Sequence, residues 1–272
     1  MTISFIGTGN MGGALARAAV RAGDPQNVAL ADYSAEKAKA LADELGCRFA
    51  ADNAAAVRAS NYILLAVKPQ VMKGVLEGIV PVLAECVKNG ERKVLVTIAA
   101  GLPMSFYREV LGEISIPLIR LMPNTPAAVG QGMTLLTSDG ASEDDIAGLE
   151  LYLREAGAVS RIPENLLDAA GCVTGCAPAF TCLFLEGLAD GAVMAGVPRA
   201  QALEYAARTV MGTAALLLAT GKHPGQLKDE VCSPGGTTIA GVHAMEESGF
   251  RAAAMDAVLA AMEKTLAMRA GK

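Results

Sequence analysis

The chain of 272 residues has no Trp, only two His (His223 and His243), and 4% aromatic residues. Two histidines cannot build a His-rich metal centre, so no metal site is expected. Catalysis has to run on few titratable side chains or on the chemistry of a bound cofactor. Neither sign of charge is in large excess: 23 Lys and Arg stand against 28 Asp and Glu, a net charge of −5. No basic cluster interleaves with aromatics, which argues against nucleic acid and leaves a small molecule as the expected partner. Six cysteines (Cys47, Cys86, Cys172, Cys176, Cys182 and Cys232) form no CxxC pair. A chain this long needs no disulfide framework, so they read as buried thiols in a reducing cytosol. No apolar run reaches the roughly 18 residues of a membrane span. Met1-Thr2 leads straight into Ile3-Ser4-Phe5-Ile6 without the basic region and cleavage site of a secretory signal. A soluble cytoplasmic protein with no membrane partner is the expectation.

What the chain has instead is alanine, 51 copies, which carries much of a hydrophobic fraction of 52%. Small side chains let helices approach closely, so a helix-dense, tightly packed protein is expected. The length suits two domains.

The first half alternates short β-rich runs with helical patterns. Ile3–Ile6, Val28–Ala31, Tyr62–Val67, Val94–Ile98 and Leu118–Leu121 read as strands buried on both faces of a parallel sheet. Ser34 opens a helix that Gly46 stops after Leu45, and Ser142 with Asp145 forms a capping box for a helix through Glu155. Strand and helix in alternation predict a doubly wound α/β sheet. After Ile162-Pro163 long Ala/Leu/Met segments take over, broken by Pro178, Pro198 and Pro234. The stretch from Ala177 to Ala219 is apolar around much of the helix circumference, which calls for other helices on several sides and hence for a dimer built from this half.

Gly7-Thr8-Gly9-Asn10-Met11-Gly12 places GxGxxG after the first strand, at the start of the first helix. Gly7 permits the tight turn, Gly9 lets backbone approach a pyrophosphate, and Gly12 lets helix and strand pack. This context points to a Rossmann-type dinucleotide site, the alternative being a glycine turn of another α/β protein. Asp32 ends the second strand, where an acid can accept from both ribose hydroxyls and would repel a 2′-phosphate. That leans toward NADH, while Ser34 and Lys37 could serve a phosphate, and Asp32 could instead cap the next helix. Ala66-Val67-Lys68-Pro69 and Ala99-Ala100-Gly101 follow strands in the same way and should flank the cofactor. Lys68 reads either as a solvated residue or as a contact to substrate or phosphate.

In the helical half, His223 to Gly241 holds Cys232-Ser233-Pro234-Gly235-Gly236-Thr237-Thr238. Pro and paired glycines interrupt one helix and hydroxyl residues open the next, giving a receptor for a carboxylate. The plain alternative is a loop with Thr237 or Thr238 as N-cap. His223 and His243 read as local packing or surface residues.

These segments together resemble the pyrroline-5-carboxylate reductases: GTGNMG, AVKP at 66–69, AAG at 99–101, Arg120-Leu121-Met122-Pro123-Asn124-Thr125-Pro126, and above all Pro224 to Glu246. The resemblance covers nearly the whole chain. It implies NADPH- or NADH-dependent reduction of the cyclic imine 1-pyrroline-5-carboxylate to L-proline, the last step of proline synthesis. It also implies a Rossmann domain over 1–163, a helical substrate-binding and dimerisation domain over 164–272, and a homodimer that can assemble as a pentamer of dimers. Cofactor contacts would fall on Ile6, Gly7, Thr8, Gly9, Asn10 and Met11, on Asn53, on Ala66, Val67, Lys68 and Pro69, and on Ile98, Ala99 and Ala100. Substrate contacts would fall on Ser233, Gly235, Gly236, Thr237 and Thr238, with the Thr238 hydroxyl beside the imine nitrogen as hydrogen-bond donor or proton relay. Two departures stand out. Asp32 occupies a ribose position that is commonly a small hydroxyl residue, and Gly175-Cys176-Ala177-Pro178-Ala179-Phe180 replaces a Gly-Ser-Gly-Pro-Ala-Tyr type segment. The nearest rival is a β-hydroxyacid dehydrogenase or another imine reductase with the same two-domain layout; the hydroxyacid dehydrogenases commonly carry a catalytic Lys in the long helix after the Rossmann domain, and Leu166 to Arg199 contains no Lys. A non-catalytic NAD(P)H sensor is the rival of a different class.

Overall fold

The computed structural model describes residues 1–269. It divides into two compact units: Met1–Gly175 together with the chain from Met262 onward, and Cys176–Ala261. This differs from the expected division at 163/164, whose second domain also runs three residues beyond the described ones. The reason is local: the first helix after Pro163 buries Leu167 and Asp168 in the first unit, and Asp168 accepts from Arg120 at 2.7 Å.

The first unit is built on an eight-stranded sheet: β1 (Ile3–Ile6), β2 (Val28–Ala31), β3 (Arg48–Phe49), β4 (Tyr62–Leu65), β5 (Val94–Thr97), β6 (Leu118–Met122), β7 (Gly132–Asp139) and β8 (Gly157–Arg161). Their order is β3-β2-β1-β4-β5-β6-β7-β8. Every residue of β1, β2, β4 and β5 is buried, as their apolar runs require. Two strands stop earlier than expected, at Leu65 and Thr97, because the next residues already turn. Three strands were not anticipated: the two-residue β3, and β7 and β8, whose sequences mix polar and small residues. Pairing is parallel throughout except between β6 and β7. Only a short 3-10 turn, Thr125–Val129, lies between those two strands, and a parallel return needs a far longer crossover.

Helices cover both faces. The helices α1 (Asn10–Ala22), α2 (Ala35–Leu45) and α6 (Glu143–Leu153) pack with Phe5, Leu30 and Leu64. On the other face α3 (Asn53–Ala59), α4 (Pro69–Lys88) and α5 (Met104–Leu111) pack with Ile63, Leu65 and Leu95. Each such buried side chain stabilises the unit by about 1.5–3 kcal/mol relative to exposure. In α1 the buried residues include Ala16, Ala18 and Ala19, so the helix lies close to the sheet. Gly46 ends α2 in the left-handed region as expected, but Ser34 makes no side-chain cap bond. The Ser142–Asp145 capping box is present, and α6 ends at Leu153 rather than Glu155. The remaining helix of this unit is α7 (Glu164–Thr174).

The second unit holds α8 (Ala177–Met194), α9 (Arg199–Thr220), α10 (Pro224–Glu230), α11 (Thr237–Glu247) and the start of α12 (Phe250–Arg269). Pro178 and Pro198 open helices instead of breaking them, since the start of a helix needs no proline N–H, whereas Pro234 lies in the break between α10 and α11 as expected. Few side chains of the unit are buried, among them Ala189, Ala202 and Ala206, while Leu183, Met194, Met211 and Leu218 are exposed. The thiol expectation holds only for Cys86 and Cys172; Cys47, Cys176 and Cys232 are half-buried. Cys182 is exposed on α8, in which Ala189 alone is fully buried. Contrary to the sequence reading, one helical stretch, Glu164–Met194, is long and apolar enough to cross a membrane by length and composition. It is interrupted at Gly175-Cys176, between α7 and α8.

Candidate active site

The glycine loop joins β1 to α1 at the carboxyl edge of the sheet, beside the switch point between β1 and β4. Gly7 has φ +105°, and a Cβ there would lie 2.7 Å from the Ala66 carbonyl oxygen. A Cβ at Gly12 would lie 2.2 Å from the Gly7 oxygen and 2.8 Å from the Ala66 Cβ, so helix and strand touch as expected. Gly9 differs: nothing lies within 4 Å of its added Cβ. As the N-cap of α1 it offers no side chain to the first-turn amides, which have no side-chain cap. That cradle fits the phosphates of a dinucleotide.

Asp32 is bound into the same loop. Its Oδ2 accepts from the Thr8 amide at 2.6 Å and the Thr8 hydroxyl at 3.0 Å, and its Oδ1 accepts from the Ser34 amide at 3.0 Å. Burial works against the Asp32 carboxylate, but these three bonds and nearby Lys37 outweigh it and hold its pKa below the usual value. A groove of 740 Å³ runs beside it, lined by Thr8, Gly9, Asn10, Asp32 and Lys37 among others. Ile6 is buried beneath the loop, and Met11 packs against the core.

The other predicted loops leave the same edge. Ala66 donates its amide to the Ile6 carbonyl at 2.8 Å, and Ile98 donates to the Leu65 carbonyl at 3.2 Å. Val67 packs on the core, Lys68 caps α4 from an exposed position, and Pro69 is its first residue. Ala99 is buried, and Ala100 is exposed. Asn53 begins α3, where Asp52 accepts from the Ala55 amide at 2.6 Å, and it lines a groove of 650 Å³ with Gln70.

In the second unit, the Ser233 carbonyl accepts from the Gly236 amide at 3.0 Å, and Gly235 sits at φ +67°. Gly236, not Thr237 or Thr238, is the N-cap of α11, so the first-turn amides meet no side-chain cap. Ser233, Thr237 and Thr238 are all exposed in the single chain. His223 plays the local part expected, its Nδ1 accepting from the Gly225 amide at 3.1 Å to cap α10. His243 is exposed on α11. Among the described residues no group of three or more His, Cys, Asp or Glu could hold a metal ion.

Sequence reasoning missed a buried polar cluster beneath the loop after β5. Arg120, 1% exposed, donates from Nη2 to Asp168 at 2.7 Å and from Nη1 to the Glu164 Oε1 at 3.4 Å. Thr97 shares a 2.6 Å hydrogen bond with the buried Tyr107 hydroxyl. The available signal was an Arg inside the otherwise apolar run Leu118–Met122, a charge that needs a partner when buried.

Comparison with known proteins decides the family. A family model for pyrroline-5-carboxylate reductase dimerisation matches residues 164–268, and one for coenzyme F420-dependent NADP oxidoreductase matches residues 2–101. The pyrroline-5-carboxylate reductase of Methanosarcina acetivorans is 41% identical over 269 residues, covering 97% of this chain and 96% of the relative. The chain belongs to the pyrroline-5-carboxylate reductase family. The Escherichia coli reductase is 40% identical over 266 residues, covering 97% and 96% of the two chains. The crystal structure of Plasmodium falciparum pyrroline carboxylate reductase with NADP bound superposes with a TM-score of 0.86 at 29% identity, covering 99% of this chain and 98% of that one. Within the reductase family the departure at 175–180 leaves Phe180 half-buried near the start of α8.

Proposed function

We propose that this reductase converts 1-pyrroline-5-carboxylate to L-proline with NADPH or NADH, as the last step of proline synthesis. Full-length similarity to pyrroline-5-carboxylate reductases carries the reading, and the two glycine-bounded helix N-termini supply its chemistry. The nicotinamide, when bound, supplies the hydride.

The chain's own part begins at Gly7 to Gly12. There the first-turn amides of α1 take the pyrophosphate, while Ala66 to Pro69, Ile98 to Ala100 and Asn53 line the rest of the cofactor track. Asp32 is the ribose residue, with Lys37 across the same groove. In the second unit the amides of Gly235 to Thr238 hold the substrate carboxylate, with Ser233 beside them. The Thr238 hydroxyl hydrogen-bonds the imine nitrogen. A threonine hydroxyl ionises far above neutrality, so it relays a proton from water or steadies an iminium already protonated. Fixing the imine in this way contributes several kcal/mol of barrier reduction through orientation, on the order of the effective-molarity effect. The enzyme works as a soluble cytosolic homodimer through its helical half, able to assemble further into a pentamer of dimers.

The test is oxidation of NADH and NADPH by the purified protein with 1-pyrroline-5-carboxylate, a six-membered cyclic imine and a hydroxyacid panel. Turnover should appear with the five-membered imine, and Thr238→Ala should lower kcat by about a hundredfold while leaving cofactor affinity nearly intact. Wild-type turnover in that variant would refute the assignment of Thr238. Asp32→Ser should move the preference toward NADPH, and an unchanged NADH/NADPH ratio would remove Asp32 as the ribose residue.

A further inference from the structure

The loop from Ile98 to Pro103 is fastened at both ends by groups outside it. At its start, the Thr97 hydroxyl accepts from the Ala99 amide at 3.3 Å while bonded to Tyr107. At its end, Pro103 stands at the N-cap of α5, a position usually filled by Ser, Thr, Asp or Asn, and makes no side-chain cap bond. The first-turn amide of Met104 donates instead to the Glu164 Oε1 at 2.7 Å, 60 residues further along the chain. A carboxylate at a helix N-terminus also meets the positive end of the helix dipole.

Glu164 is in turn held. The same Oε1 faces Arg120 Nη1 at 3.4 Å, and Arg120 is anchored at its other nitrogen by Asp168. Arg120 and Thr97 are paired neighbours on β6 and β5, so the two fastenings rise from adjacent sheet positions. The guanidinium is buried, and its Nε has no hydrogen-bond partner among the described residues. One Glu164 oxygen thus joins Arg120 to the first-turn amide of α5.

We infer that Glu164, seated by Arg120, is a positioning residue that sets the geometry of the Ile98–Ala100 loop against the bound cofactor. This rests on the proposed function, which places that loop in the cofactor track. With Glu164 in place the loop is shaped before the cofactor arrives, and loss of the carboxylate frees the α5 end while Thr97 still holds the other.

The experiment compares Glu164→Ala and Glu164→Gln in steady-state reduction of 1-pyrroline-5-carboxylate, with thermal unfolding of each variant in parallel. Glu164 is partly exposed, and alanine is a good helix former, so both variants should fold. Glu164→Ala should raise the KM for the nicotinamide cofactor about tenfold, with the imine KM unchanged, as expected for misplacement of a binding loop. Glu164→Gln, whose amide oxygen still accepts from the Met104 amide, should restore most of the loss. A cofactor KM at the wild-type value in Glu164→Ala overturns the inference. So does a fall in activity that glutamine fails to rescue, or one that follows Tm alone. Absence of imine reduction in the wild-type protein would instead refute the proposed function, and direct cofactor titration of the same variants would still read the loop.

Discussion

Gly9 and Gly12 belong to the same six-residue pattern but answer to different demands. At Gly12 an added methyl would lie inside the Gly7 carbonyl, whereas at Gly9 it would meet nothing within 4 Å. Gly12→Ala should therefore destabilise the first unit by about 1–3 kcal/mol, the usual cost of overpacking, visible in urea unfolding. Gly9→Ala should unfold like the wild type yet bind the dinucleotide weakly, since its methyl fills the space that the proposed function gives to phosphate. Equal damage to stability in the two variants would show that the space at Gly9 is not kept for a ligand. Asp32 shows the same division of labour on one side chain. Both of its oxygens are already engaged by Thr8 and Ser34, so the ribose would share a carboxylate that the loop also uses.

At the scale of elements, α6 is held by more than its sequence pattern. The Asp145 carboxylate that closes the capping box with Ser142 also accepts from Arg92 Nε at 2.8 Å. Burial opposes its charge, but Arg92 and Ser142 overcome this and lower its pKa. A lowered folded-state pKa contributes stability that is full above the unfolded value, roughly 3.9, and fades as pH falls through the folded value. Asp145→Asn should thus be less stable than wild type at neutral pH, with the gap closing in acid; a gap independent of pH would disprove the linkage.

Elements also show what sequence makes legible. The strands β1, β2, β4, β5 and β6 were readable because each is a short, mainly apolar run, broken at most by one polar residue such as Ser4, Thr97 or Arg120. Their neighbour β7 reads Gly-Met-Thr-Leu-Leu-Thr-Ser-Asp, in which polar and apolar residues follow no clean alternation. It is a strand because β6 and β8 supply both of its pairing edges. The glycine turn after β1 was legible because its glycines act within six residues. The Arg120–Glu164 contact was not, because the partners stand 44 residues apart and a lone Glu after Pro163 looks like any helix start.

On the scale of the molecule, the two units differ in how they are completed. The first closes its own core between two helical layers, while the second leaves Leu183, Met194, Met211 and Leu218 at its surface. Exposed apolar area of this kind marks an interaction surface, and the dimerisation match over 164–268 supplies the partner as a second copy. In a two-fold interface each residue acts twice, so Leu218→Glu should weaken association by about a hundredfold or more at roughly 1.5–3 kcal/mol per buried Leu. Sedimentation velocity across micromolar concentrations would read the change, and an undisturbed dimer would exclude that part of α9 from the interface.

The bonds from Thr8 to Asp32 bear on kinetics as well as shape. They fix the glycine loop when the chain folds, so on the proposed function its conformational entropy is already lost when a dinucleotide arrives. Docking onto such a loop is close to rigid-body capture, with no ordering step to slow it. Substitutions around the loop then act mainly on how long the dinucleotide stays rather than on how fast it is found.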